Sequence, residues 1–134
     1  MTSFPLKIVT PDGMEYDGQA EELIVRTTTG DLGILAGHVN CVAPLGMGRA
    51  TIVVDGVYRY AACIGGMLSV SDGTVTLVPT TFEWANEIDM DRAEASYQRA
   101  QKALHSKDAT STEIKLAEAR LRRALVRKSV ASGK

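Results

Sequence analysis

The side chains best equipped for chemistry in this sequence are arginines on two stretches near its C-terminal end. Asp89 and Arg92 open the first stretch, and Arg99 follows Arg92 by seven residues, so the two arginines share one face of a helix. On the second stretch Arg120, Arg123 and Arg127 are spaced three and four apart, again on one face, with Arg122 beside them. Guanidinium groups bind phosphate oxygens bidentately. If the two stretches pack side by side, their arginines can converge on a phosphate. The plainer reading is a solvated basic face with i,i+4 pairs such as Glu118 with Arg122, and the residues alone favour it.

Other catalytic material is scarce. Gly30-Asp31-Leu32-Gly33-Ile34-Leu35-Ala36-Gly37-His38 is glycine-rich, but it lacks the Gly-Lys-Ser/Thr ending of a phosphate loop and the G-x-G-x-x-G spacing. No two histidines stand at metal-ligand spacing, and no Gly-x-Ser-x-Gly elbow occurs. His38 is either a loop residue bonded to backbone or a polar contact on a docking surface, since loops on a rigid scaffold often carry recognition. His105 reads as a donor at a helix C-terminus. Cys41 and Cys63 are too few and too scattered for a disulfide framework or a zinc site, and read as small buried thiols in a reducing compartment. An enzyme is therefore not expected.

The elements that must position these residues differ sharply between the two parts of the chain. Its 134 residues are 45% hydrophobic and 23% charged, the composition of a soluble globular protein with room for one ordinary domain and an appendage. The net charge of −1 argues against nucleic-acid binding. The longest stretch without Asp, Glu, Lys or Arg, Leu32 to Gly48, is too rich in glycine to span a membrane, and Met1 to Lys7 lacks the pattern of a secretory leader. The small net charge hides a division. Residues 1–85 carry four basic side chains against nine acidic ones, net −5, and residues 86–134 carry eleven against seven, net +4. Only Gly133 of the glycines lies beyond residue 85. A boundary is expected between Pro79 and Ile88.

Residues 1–85 read as short strands and tight turns. Asp12-Gly13, Asp55-Gly56 and Asp72-Gly73 each stand between apolar, β-branched runs, and Asp-Gly suits the type I′ hairpin turn, which needs positive φ at both central residues. Leu6–Val9, Glu22–Arg26, Ile52–Val54, Val57–Tyr60, Leu68–Ser71 and Thr74–Val78 are the clear strands. They predict an antiparallel sandwich or flattened barrel. Residues 86–134 read as helix. Asp89 is an N-cap, after which Met90, Ala93, Tyr97, Ala100 and Leu104 form one stripe. Thr110 to Glu113 is a capping box, and Ile114, Ala117, Leu121 and Ala124 form a second stripe. Two helices of about 17 and 20 residues, roughly 25 and 30 Å long, make an antiparallel hairpin whose alanine-rich seam buries little apolar area. Trp84 is expected to pack a satellite cluster at the junction.

Taken in order, these pieces resemble the epsilon subunit of bacterial rotary F-type ATP synthase, over nearly the whole chain. Gly30 to His38 matches the family's G-x-x-G-I-L-P-G-H, Gly65-Gly66-Met67-Leu68-Ser69-Val70 and Val75-Thr76-Leu77-Val78 follow in place, Ile88 to Ala93 matches I-D-x-x-R-A, and Ala117 to Ala124 resembles A-x-x-R-L-x-x-A. Ala36 stands where proline is usual, and Val39-Asn40-Cys41-Val42 replaces the usual Pro-Leu continuation.

The resemblance implies an α+β chain: an N-terminal antiparallel β-sandwich of about ten strands, residues 1–85, and a C-terminal two-helix hairpin, residues 86–134. It implies a non-catalytic subunit at the cytoplasmic face of the bacterial membrane, peripheral to it. The sandwich joins the gamma shaft to the c-ring, with Asp31 and His38 as partner contacts. The helices regulate ATP hydrolysis by folding back or by extending into the alpha/beta hexamer, where Arg120, Arg122, Arg123 and Arg127 would meet acidic surfaces. No cofactor is required, but regulatory ATP on the folded hairpin through Asp89, Arg92 and Arg99 is implied by some family members. The alternative is a free-standing ATP-sensing module.

Overall fold

The computed structural model describes residues 2–133, and the chain divides into two compact units between Trp84 and Ala85. The first is all β. Its strands are β1 (Phe4–Thr10), β2 (Gly13–Ala20), β3 (Glu22–Thr27), β4 (Gly30–Ile34), β5 (Cys41–Pro44), β6 (Met47–Val54), β7 (Val57–Ser71) and β8 (Thr74–Trp84). They form one sheet in the order β2-β1-β8-β7-β6-β3-β4, with β5 also paired to β7. All pairings are antiparallel except β1 with β8.

Among the described residues, eight strands replace the roughly ten expected, because β7 and β8 are long enough to serve both layers. The first half of β7 pairs with β6 from Val57 to Ile64, and its second half pairs with β5 from Met67 to Val70. β8 pairs with it from Ala61 to Ser71, skipping one step between Ile64↔Thr81 and Gly66↔Pro79. At that step Gly65 and Gly66 have φ of 66° and 99°, so the backbone turns the corner where no other residue would do so without strain. A Cβ on Gly66 would lie 2.0 Å from the Val78 carbonyl oxygen. The remaining corner bonds are Gly65 N–H to the Gly46 carbonyl and Leu45 N–H to the Gly66 carbonyl, at 2.9 and 2.8 Å.

Between the layers lies a core containing Leu6, Ile8, Leu23, Val25, Ile34, Ile52, Leu68 and Leu77. It arises from period-2 alternation: in β1, Phe4, Leu6, Ile8 and Thr10 point inward and Pro5 and Lys7 outward. Trp84 is not in a satellite cluster as expected. It belongs to this main core, edge-on to Phe82 at 5.0 Å, with the Arg59 guanidinium 3.8 Å above its ring. Cys63 is buried in the same core, where desolvation pushes its thiol up to about 12, while Cys41 is only half-buried.

Two of the three Asp-Gly turns have the expected form: Asp55 and Asp72 have φ of 50° and 48°, followed by Gly56 and Gly73 at 76° and 83°. Asp12 does not share it. Pro11 occupies the first central position there, and its ring holds φ negative, which excludes a type I′ turn. Thr10 organises that turn instead, its buried hydroxyl donating to the Gly13 carbonyl and accepting from Asp12 N–H.

The second unit opens with a short 3-10 turn, Ala85–Glu87, and then α1 (Met90–Leu104) and α2 (Ser111–Ala131). Both predicted N-caps form: Asp89 accepts from Arg92 N–H at 3.1 Å and Thr110 from Glu113 N–H at 3.2 Å. α1 stops at Leu104, where the His105 imidazole bonds the Gln101 carbonyl at 2.8 Å. The buried residues of the seam are Ala93, Ala100, Ala117 and Ala124, with Val130 near the end of α2.

The corner predicts a graded cost for two glycine substitutions. Gly66→Ala meets both strained backbone and the Val78 carbonyl, and is expected to destabilise by on the order of 3 kcal/mol or more. Gly73→Ala, with nothing within 4 Å of its added Cβ, should cost only the left-handed backbone penalty of about 1–2 kcal/mol. Denaturant melts giving equal losses would show that the close approach at Gly66 is unimportant.

Candidate functional site

Two surfaces carry the residues that the sequence singled out. The first is built on β4, β5 and the segment between them. Asp31 is not in a loop, as the glycine-rich reading implied, but on β4 opposite Arg26, whose Nε lies 2.8 Å from its carboxylate. Both side chains are more than half exposed, so the pair is screened by solvent and contributes little to stability. His38 follows the end of β4. Leu35 to His38 form a turn closed by His38 N–H to the Leu35 carbonyl at 3.2 Å, with Gly37 at φ 83°. That φ is the value a type II turn needs at its third residue, so Ala36 in the second position does not prevent the turn.

The His38 ring settles its own tautomer. Its Nδ1 lies 2.8 Å from the Val39 carbonyl oxygen, which can only accept, so Nδ1 carries the proton. Nε2 makes no hydrogen bond among the described residues. Asp31 and His38 thus have separate partners and do not act on each other.

Several exposed side chains near His38 are apolar. Val39 and Val42 are 74% and 67% exposed, and Leu35 is also exposed. The register continues this face across the sheet, placing exposed Pro44 beside Met67 and Met67 beside Val78. Leu35, Val39, Val42 and Pro44 all fall in the charge-free stretch Leu32 to Gly48, a sign of an exposed apolar surface as well as an argument about membrane spans, whereas Met67 and Val78 join them only through strand register.

The second surface lies between α1 and α2. A groove of about 380 Å³ has Arg99 on the α1 side and Arg120, Arg123 and Arg127 on the α2 side, over a floor that includes Ala100 and Ala117. The small seam residues that bring the helices close leave this space open. Four guanidinium groups line it, an arrangement suited to an anion with several oxygens. Arg99 also donates to the Ser96 hydroxyl at 3.2 Å. Asp89 and Arg92 are not among the lining residues: the Asp89 carboxylate is engaged as the cap of α1, and Arg92 is exposed. Arg122 is exposed outside the groove as well.

One polar cluster joins the helices and was not foreseen. Lys128 of α2 places Nζ 2.6 Å from the Glu94 carboxylate of α1 and 4.2 Å from the centre of the Tyr97 ring. Gln98 donates to the other Glu94 oxygen at 2.9 Å, and Gln101 to the Tyr97 hydroxyl at 2.9 Å. The Lys128 contact, followed by Gln98, holds the Glu94 carboxyl below its ordinary value. No local pattern could reveal this pair, because it exists only in one register of the hairpin.

Comparison with known proteins bears on the whole chain. The family description "ATP synthase, Delta/Epsilon chain, beta-sandwich domain" matches residues 3–85, and "ATP synthase, Delta/Epsilon chain, long alpha-helix domain" matches residues 86–132. The chain belongs to the delta/epsilon family of ATP synthase chains. It is 43% identical to the ATP synthase epsilon chain of Ruminococcus albus over all of both chains, and 43% identical to that of Bacillus velezensis over 98% of each. Its fold is shared with a chain of the Euglena gracilis mitochondrial ATP synthase OSCP/F1/c-ring structure, at a TM-score of 0.85 and 21% identity, covering 100% of this chain and 83% of that one. A chain in the Tetrahymena thermophila mitochondrial ATP synthase central stalk/c-ring structure gives a TM-score of 0.67 at 16% identity, covering 95% of each.

Within this family member the Lys128 cluster predicts a pH-dependent hairpin. Glu94 is depressed on folding, so its contribution is present above its ordinary value of 4.5 and lost as the pH falls through the lower folded value. Lys128→Met and Glu94→Gln should each lower the thermal stability of the helical signal at pH 7. The double variant should lose no more than either one, and the difference from wild type should close on acidification. Additive losses would show that the two side chains do not act as a pair.

Proposed function

We propose that this chain is the central-stalk rotor subunit of an F-type ATP synthase, peripheral to the cytoplasmic face of a bacterial membrane. The carrying observation is the match of both family domains, in order, to the two structural units, together with relatives named ATP synthase epsilon chain over their full length. No helix among the described residues is long and apolar enough to cross a membrane. In this reading the chain makes no bonds of its own in catalysis. The sandwich, residues 1–85, joins gamma to the c-ring, and His38 Nε2 with its apolar surroundings and exposed Asp31 offer the contacts. The hairpin, residues 86–134, regulates ATP hydrolysis. It lies folded in one state and extends toward the alpha/beta hexamer in the other, where Arg120, Arg122, Arg123 and Arg127 hold it on acidic surfaces.

Regulatory ATP, where it binds, favours the folded hairpin. The grouping of Arg99 with Arg120, Arg123 and Arg127 supports a phosphate position in the groove, with Asp89 and Arg92 at the start of α1 as further contacts. The same arginines then serve two ends, since those engaged with ATP are withheld from the hexamer.

Ending the chain after Asp108 is expected to raise ATP hydrolysis by the assembled enzyme while leaving assembly and proton coupling intact. Changing the four α2 arginines to alanine should reproduce much of that release, and added salt should weaken the inhibition, because exposed charges are screened over about 10 Å at 0.1 M. Hydrolysis indifferent to both changes would make the hairpin structural. A tagged copy that fails to bring down the synthase, yet binds ATP tightly, would favour the free-standing sensor.

The nucleotide site has its own test. Loss of a charge-assisted contact costs about 1.5–3 kcal/mol, so Arg99→Ala should weaken ATP roughly tenfold or more by calorimetry. Arg92→Ala should do so less, being outside the groove. No heat from the unaltered chain at millimolar ATP would remove the site.

A further inference from the structure

We infer that Asn40 is a positioning residue for the docking surface that carries His38; the inference rests on the rotor reading above. The two hydrogen bonds made by His38 are both local, one to Leu35 and one to Val39. They fix the shape of the turn, and half-buried Ala36 packs its middle against the core. The exit of the segment is held two residues beyond His38. The Asn40 side-chain oxygen accepts the Asp72 N–H at 2.8 Å, and its amide nitrogen donates to the Asp72 carboxylate at 3.4 Å, across 32 residues of sequence.

Asp72 is suited to receive this clamp. It is the first central residue of the β7–β8 turn, with φ 48°, and the N–H of that position has no partner in a two-residue hairpin ladder. β5 begins at Cys41, which is paired with Val70 of β7. Asn40 therefore sits beside the tip of that hairpin, where an amide side chain supplies one acceptor and one donor together. An aliphatic side chain or a proline could supply neither. The clamp ties down the exit of a segment whose exposed side chains include Leu35 and Val39. A segment ordered beforehand loses less conformational freedom on docking and so binds more tightly. A like bond elsewhere makes an internal control: Glu21 accepts the Gly56 N–H at 2.7 Å at the tip of the β6–β7 hairpin, away from this segment in the sheet.

The test uses the full chain and ATP synthase stripped of it, with affinity and melting temperature measured for each variant. Asn40→Ala should weaken binding about tenfold, the effect of losing one or two modest hydrogen bonds, while its melting temperature stays with that of Glu21→Ala, which binds normally. Asn40→Asp should weaken binding at least as much, because it sets a second carboxylate against Asp72. Adding Asp72→Asn should restore affinity, since donor and acceptor then exchange places and asparagine tolerates positive φ. If Asn40→Ala binds as tightly as the unaltered chain while His38→Trp still weakens binding, the clamp is overturned and the docking surface stands. If His38→Trp is also silent, the docking reading falls and the clamp with it. Equal loss of affinity in Glu21→Ala would reduce Asn40 to a stability residue and overturn the inference.

Discussion

At Gly66 the backbone of β7 comes so near β8 that a side chain there would lie 2.0 Å from the Val78 carbonyl oxygen. This approach makes it possible for one pair of strands to belong to both layers. Once β7 and β8 have turned the corner, β6 and β3 can pair on one side and β5 and β1 on the other. Leu68 and Leu77 then meet Ile52 and Leu23 in a single core. The exposed apolar face follows from the same geometry, because Met67 and Val78 lie just beyond the corner, directly opposite each other. Period 2 places Leu68 and Leu77 inward, so their neighbours Met67 and Val78 point outward.

Much of this was legible because it depends on local patterns. The division of charge and glycine marks the change from sheet to helix, and the caps at Asp89 and Thr110 mark where each helix starts. The alternation of β1 and the turns at Asp55 and Asp72 needed no tertiary information. What escaped depends on distant partners. Gly65-Gly66 was visible as a motif but not as a bend inside one strand, so β7 and β8 read as more than two strands. The Asp12 turn failed because Pro11 overrides the Asp-Gly signal. Arg92 and Arg99 share a helical face by spacing, yet only Arg99 lines the groove, because which part of a face is covered depends on where the second helix crosses it. The Glu94–Lys128 and Asn40–Asp72 pairs had no local signal at all.

The hairpin is balanced between opposed electrostatic features. Alanines at the seam allow close approach but contribute little burial per residue. Arg99, Arg120 and Arg123 bring like charges to one groove, which works against closure at low salt. Lys128, set between the Glu94 carboxylate and the Tyr97 ring, works for it. On the regulatory reading proposed above, a helix pair held in this way would need only a modest change in its surroundings to alter its state.

The two surfaces also differ in the kind of attachment they can make. The exposed side chains of Val39, Val42, Met67 and Val78 are apolar, and burial of such area responds weakly to ionic strength. It suits an attachment that persists, as a rotor contact must through every turn. The hairpin instead presents exposed arginines, whose contacts are screened by salt and can be taken over by a competing anion. It suits an attachment that is made and broken. On the rotor reading, the change from an apolar, net acidic sandwich to a basic, alanine-seamed hairpin separates permanent attachment from reversible control along one short chain.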